Sequence, residues 1–248
     1  MKQERITING LIEEIDFEVT RRRVHRVENA LVVGIAGSPG SGKSTTAEVL
    51  MRKLEAKGII TSFIPMDGYT YSSAVLEARG LLERRGSIET INVVDFINDL
   101  YRGYTGFESF FVPRYSRTLG EPIAHSLQVT PDSDVILTEG NYLLFKEEPG
   151  WNAVQKLLDI SVFLETPKNI REERLFARYE EFMTNEEALN WLKTVDTPNA
   201  DRVDSSIKFA QFVLATDPEE NDALMKKFKP APASMLRKTD TKPVHTIS

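Results

Sequence analysis

The 248-residue chain is 41% hydrophobic and 27% charged, the balance of a globular protein with room for one substantial domain and a small appendage. Its formal net charge of -6 argues against general nucleic-acid or anionic-membrane binding, although a local basic cleft can still hold an anion. Cysteine is absent, which excludes disulfides, thiolate metal sites and thiol catalysis, and with no apolar leader or long apolar run a cytoplasmic protein is the expectation.

Residues 1–29 are polar with scattered Ile6, Leu11, Ile15, Phe17 and Val19, a pattern that suits one or two peripheral helices. LVVGIAGSPGSGKSTTAEVL, residues 31–50, runs from an apolar strand through a glycine-rich turn into a helical period marked by Ala47, Leu50 and Leu54. After Gly58, IITSFIPMD reads as a second buried strand leading into PMDGYTY, where Asp67-Gly68 is a turn signal. Residues 72–103 read as helical, with INVVDFINDLYRG the clearest amphipathic piece, and SFFVPRYSR and PIAHSLQVT as a hairpin outside the main sheet. DVILTEGNYLLF (134–145) and DISVFLETP (159–167) begin as apolar strands, 168–195 as charged helices, and a last strand falls near 209–214. Strands apolar on both sides and separated by helices imply an α/β fold with a parallel sheet covered on both faces. The polar tail FKPAPASMLRKTDTKPVHTIS is expected to be mobile or draped over the surface.

Gly37-Ser38-Pro39-Gly40-Ser41-Gly42-Lys43-Ser44 satisfies G-x-x-x-x-G-K-[ST] between a strand and a helix, the context that motif requires. Its backbone N–H groups and the helix amino end suit phosphate oxygens. Lys43 would reach the β- and γ-phosphates, the Ser44 hydroxyl would ligate Mg²⁺, and Thr45 completes the candidate ATP site. No Asn-Lys-x-Asp guanine-reading motif follows. Working residues of open parallel sheets lie just beyond the strands' carboxyl ends; Asp67 and Glu139 occupy such positions and should face the same crevice.

GSPGSGKST, PMDGYTY, RRG (84–86), PRYSR (113–117), EGNYLL (139–144) and REERLFARYEEF together resemble the phosphoribulokinase/uridine kinase family, which includes bacterial pantothenate kinases; the combination of PMDGY with EGNYLL is most similar to its sugar- or nucleoside-kinase-like branch. The resemblance implies a three-layer P-loop NTPase fold with a mostly parallel central sheet, a helical lid and a small substrate-side β insertion. The kinase domain would span 30–218, its lid about 168–198, with a tail over 219–248. It implies ATP and Mg²⁺ as cofactors and a hydroxyl of a small molecule (sugar, nucleoside or pantothenate-like) as acceptor. Asp67 would be the base, Glu139 would lie near the metal, and Arg174 and Arg178 would be lid arginines acting with Lys43 on the transferring group. Asn199 would meet the adenine. Tyr69, Tyr71, Arg85, Arg114, Tyr115, Arg117 and Tyr142 would line the acceptor pocket.

Two departures bear on the acceptor. Thr70 stands where many members of this family have histidine, and Ser116-Arg117 where uridine kinase-like sequences have Asp-His. An acceptor bearing a carboxylate or phosphate would suit Arg114 and Arg117. A reading of another class is an ATP-binding regulator with little acceptor-dependent turnover, and the oligomeric state stays open, with a homodimer as one option.

Overall fold

The computed structural model describes residues 3–215. In chain order these form β1 (Glu4–Ile6), α1 (Ile8–His25), β2 (Leu31–Ala36), α2 (Lys43–Ala56), β3 (Thr61–Pro65), α3 (Ser73–Ala78), α4 (Val93–Thr105), β4 (Phe110–Ser116), β5 (Glu121–Val129), β6 (Val135–Gly140), α5 (Trp151–Leu157), β7 (Ile160–Glu165), α6 (Lys168–Tyr179), α7 (Asn185–Trp191), α8 (Thr197–Asp204) and β8 (Phe212–Ala215). Six strands make one sheet in the order β1-β8-β7-β2-β6-β3. Every neighbouring pair in it is parallel, whereas β4 and β5 form an antiparallel hairpin apart from it.

The central strands β2 and β6 are buried at every position, because helices cover both faces of the sheet. Adjacent β2 residues point to opposite sides: Val32 joins Ile64, Phe96, Leu100 and Trp151 in one apolar cluster, and Val33 joins Leu11, Ile15, Leu50 and Leu54 in the other. The result is the three-layer α/β arrangement of the P-loop NTPases.

The N-terminal segment departs from the peripheral-helix expectation. β1 adds an edge strand, pairing Glu4–Ile6 with Phe212–Leu214, and α1 packs Leu11 and Ile15, both at 0% exposure, into the core. A three-residue strand is too short to show alternation, while Leu11, Ile15 and Val19 recur at helical spacing and were the visible half of this unit. Between 72 and 103 the helix is broken into α3, two 3₁₀ turns (Leu82–Arg84, Ile88–Thr90) and α4, with Gly80 and Gly86 at positive φ in the interruption. The last strand lies at Phe212–Ala215, because Ser205–Phe209 continues as a 3₁₀ turn. The proline-containing tail lies outside the described residues.

Register fixes the functional edge. Ile35 and Pro65 both stand opposite Glu139, and Ala36 opposite Gly140. The loop after β2, the turn after β3 and the end of β6 therefore open on one carboxyl edge. Among the described residues, no helix is long and apolar enough to cross a membrane.

Candidate active site

The glycine-rich loop connects β2 to α2, whose first turn starts with Lys43, Ser44 and Thr45. Lys43 is buried and donates to the Ser38 carbonyl at 3.1 Å. Burial lowers its ammonium pKa, and the carboxylates of Glu139 and Asp67 oppose that shift. Gly40 sits at φ +76°, and a Cβ there would lie 2.6 Å from the Arg171 carbonyl oxygen, so the root of α6 packs directly on the loop. Arg171 is buried, donating to the Thr166 carbonyl at 3.1 Å and to Asp204 at 2.9 Å. Asp204 also accepts from Ser38 Oγ, and Thr166 Oγ1 donates to the Ser41 carbonyl at 3.0 Å. Arg171 thus ties the start of α6 and α8 to the loop. Asp204 is a residue beside the loop that sequence reasoning missed, as is the Ala200 carbonyl one helical turn before it, which also accepts from Ser38 Oγ at 3.3 Å.

Glu139 ends up buried beside this loop at 3% exposure. Its Oε1 accepts from Ser44 Oγ at 3.0 Å, while its buried Oε2 has no hydrogen-bond partner among the described residues. Burial, reinforced by the Asp67 charge, pushes the carboxyl up to about 7, against the pull of Lys43 and Ser44. A buried carboxylate oxygen with no donor next to a serine hydroxyl suits a hard divalent cation. Among the described residues no cluster of three or more His, Cys, Asp or Glu could hold a metal alone. That is compatible with Mg²⁺, which takes one or two protein ligands and completes its shell with phosphate oxygens and water.

Asp67 lies in a 3₁₀ turn, Met66–Tyr69, that follows β3. Thr70 closes the turn: its N–H and Oγ1 both donate to the Asp67 carbonyl, at 3.2 and 2.9 Å. Thr70 is therefore part of the turn that presents Asp67, which leaves the Asp67 carboxylate half-buried at the strand edge. A Cβ on Gly68 would lie 2.4 Å from the Pro113 carbonyl oxygen, so the hairpin backbone rests on the same turn.

Two expected acceptor-pocket residues belong instead to the core. Tyr69 is buried against Phe96, with ring centroids 5.1 Å apart, and its hydroxyl donates to Asp99 at 2.8 Å. Tyr142 is fully buried between Phe145 and Trp151, and its hydroxyl donates to the Gly86 carbonyl at 2.6 Å. An aromatic residue inside a motif reads identically whether it lines a pocket or packs behind it, so spacing gave no warning. Arg85 also differs from a free ligand-binding group: it donates to the Gly120 carbonyl at 2.6 Å and to Ser73 Oγ, and one of its nitrogens lies 3.5 Å from the Tyr115 hydroxyl. Glu121 accepts from the Ser73 N–H at 3.1 Å, so Arg85 and Glu121 brace the hairpin tip against α3. Tyr71 is half-buried, with the Arg79 guanidinium 4.2 Å from its ring centroid. Arg114 is exposed and stands opposite Ile123 in the hairpin; Arg117 is exposed just past the end of β4.

On α6, an Arg174 nitrogen lies 3.6 Å from where a Gly42 Cβ would be, over the start of α2. Arg178 lies one turn further along the helix, and burial together with the Arg117 charge lowers its pKa. Next to it, Tyr179 donates to Asp196 at 2.7 Å. Asp196 ends a π-helical turn, Leu192–Asp196, and is 8% exposed. Asn199 is half-buried in α8, adjacent to Ala200.

Burial raises Asp196 to about 6, partly offset by Tyr179 and Arg178. The folded protein then holds a proton that the unfolded chain has released, so this group favours folding most at low pH and its contribution is lost as pH rises through about 6. Asp196→Asn retains an acceptor for Tyr179 and should remove that slope. Urea unfolding of the two proteins should agree near pH 4 and favour the variant by about 1–3 kcal/mol at pH 7.5. Parallel pH profiles would contradict this.

A model of the phosphoribulokinase / uridine kinase family matches residues 32–179. The chain belongs to that family. It is 31% identical over 163 residues to a Schizosaccharomyces pombe protein whose name marks it as a candidate uridine kinase, covering 61% of this chain and 67% of that one. Identity to the pantothenate kinase of Enterococcus faecalis is 29% over 150 residues, 60% of this chain and 49% of that enzyme, so the match spans about half of it. A solved structure from Silicibacter sp. TM1040, named as a candidate fructose transport system kinase, is 31% identical with a TM-score of 0.75, covering 84% of this chain and 98% of that one. This family member is a P-loop kinase that phosphorylates a small molecule.

Proposed function

We propose that this kinase uses ATP and Mg²⁺ to phosphorylate a hydroxyl of a sugar, nucleoside or pantothenate-like acceptor. The observation that carries the reading is the buried, partnerless Oε2 of Glu139, beside Ser44 and on the same strand edge as Asp67 and Lys43. Lys43 and the amino end of α2 hold the β- and γ-phosphates of the donor. Ser44 and Glu139 would hold Mg²⁺, which would offset the negative charge on the phosphate oxygens as the bond from the γ-phosphorus to the bridging oxygen breaks and ADP leaves. Asp67 orients the acceptor hydroxyl and accepts its proton as the oxygen attacks the γ-phosphorus, because a neutral alcohol is a poor nucleophile. Arg174 and Arg178 stabilise the charge of the transferring group and keep water from it; Asn199 and its α8 neighbours flank the base side. Tyr71, Tyr115 and the hairpin form the acceptor wall.

The test is coupled ADP release over a panel of small hydroxyl compounds, with and without chelator. Release should depend on one acceptor class and vanish with EDTA. Glu139→Gln should raise the Mg²⁺ concentration for half-maximal rate by about 10- to 100-fold. Tight ATP binding with no acceptor-stimulated release by any compound would favour a nucleotide-dependent regulator instead.

A further inference from the structure

Asp204 is the last residue of α8 and uses its two oxygens on two different elements. Its Oδ2 accepts from Arg171 Nη2 at 2.9 Å, and its Oδ1 accepts from Ser38 Oγ. Ser38 is 1% exposed and Arg171 6%, so water does not replace either bond. A counter-ion for Arg171 needs only the first of them. The second reaches into the phosphate loop, 166 residues away in sequence.

Ser38 is held from both sides. Its hydroxyl faces α8, and its carbonyl accepts from the Lys43 ammonium and from the Ser41 N–H, each at 3.1 Å. The path from Asp204 to Lys43 therefore runs through one residue. Other contacts of the same tie act on other loop positions: the Thr166 hydroxyl holds the Ser41 carbonyl at 3.0 Å, and the Arg171 carbonyl packs on Gly40. Without Asp204, the Ser38 hydroxyl keeps the Ala200 carbonyl at 3.3 Å, longer than an ordinary O–H···O bond. A hydroxyl bonded to a carboxylate is held more strongly than one bonded to a neutral oxygen. A loop that meets phosphate oxygens with its own N–H groups loses affinity when its geometry has to be rebuilt on binding.

We propose that Asp204 is a positioning residue for the phosphate donor: acting through Ser38, it sets the loop carbonyl that holds Lys43, and so keeps lysine and loop in the arrangement that takes the β- and γ-phosphates. The proposal rests on the kinase reading above for the identity of the donor.

Equilibrium titration of the full chain with ATP in the presence of Mg²⁺ tests it on Ser38→Ala, Asp204→Ala and the double variant, with inorganic tripolyphosphate as a competitor that has no base. Each single variant should raise the ATP dissociation constant by about 5- to 50-fold and weaken tripolyphosphate by a similar factor. The double variant should match the weaker single variant within about twofold, because both substitutions remove the same bond. Asp204→Asn keeps one oxygen and should fall between the parent and Asp204→Ala. Charge alone predicts the opposite sign, since Asp204→Ala leaves the Arg171 cation without its carboxylate beside the loop, which favours a polyanion. Ser38→Ala retains the Arg171–Asp204 pair, and thermal unfolding should show it folded, which keeps the test open where Asp204→Ala is unstable. Unchanged or tighter ATP binding by Ser38→Ala, a defect seen with ATP but not with tripolyphosphate, or single effects that multiply in the double variant overturn the proposal and leave the kinase reading intact. A parent protein that binds neither ATP nor tripolyphosphate overturns the two together.

Discussion

Asp67→Asn is expected to lower acceptor-dependent kcat by about 10²- to 10⁴-fold while leaving the dissociation constant for ATP within about twofold. The substitution is nearly isosteric, and the turn does not depend on the carboxylate, because Thr70 closes it through the Asp67 backbone carbonyl. The P-loop is built separately, on β2, α2 and the Arg171–Asp204 tie, so donor binding has no reason to fail. A second readout separates lost chemistry from lost structure. The Asp67 charge is one cause of the raised pKa of Glu139; removing it makes that carboxylate easier to ionise, so Mg²⁺ affinity should hold or increase. Turnover close to the parent rate would remove Asp67 as the base. A loss of ATP and Mg²⁺ binding together would mean that the carboxylate organises the site rather than accepting a proton.

The parts of this site that were legible in the sequence are those in which local pattern and position coincide. A glycine-rich stretch between an apolar strand and a helical period has few folds open to it, and Asp67 and Glu139 each follow an apolar strand at the edge where parallel sheets place their chemistry. The structure brings all three to one edge through the pairing of Pro65 and Ile35 with Glu139. What stayed hidden depends on partners far along the chain. Ser38 meets Asp204 across 166 residues, and nothing in either neighbourhood announces the other. Arg171, Arg174 and Arg178 form one series in sequence, yet burial makes the first a tie between the loop, the start of α6 and α8. Tyr69 and Tyr142 lie in motifs of the acceptor side, but their hydroxyls found Asp99 and the Gly86 carbonyl. Motif position therefore pointed to one strand edge, and only packing separated the residues left at its surface from those buried behind it.

Gly68→Ala should produce the second large effect, confined to the acceptor side. Gly68 does not occupy the left-handed region, so alanine meets no strain in its own backbone. The obstacle is the hairpin: the new methyl would lie 2.4 Å from the Pro113 carbonyl oxygen and 3.2 Å from the Arg114 Cα. Both are main-chain atoms, at a register shift between Val112 and Arg114 where β4 departs from regular pairing, and no side-chain rotation relieves the overlap. Either the Asp67 turn or β4 must move by about 1 Å to restore ordinary contact, which separates Asp67, the proposed base, from the hairpin carrying Tyr115 and Arg117. A displacement of that size in a positioning element costs on the order of 10²-fold in kcat/KM for the acceptor, and overpacking should cost about 1–3 kcal/mol of stability. ATP affinity should change little, because the atoms nearest the new methyl belong to Pro113 and Arg114 and not to the P-loop or the Arg171–Asp204 tie. Thermal unfolding, ATP titration and acceptor kinetics on the one variant resolve these effects. A destabilised protein with unchanged acceptor kinetics would show that the hairpin rests on the catalytic turn without helping to build the acceptor site.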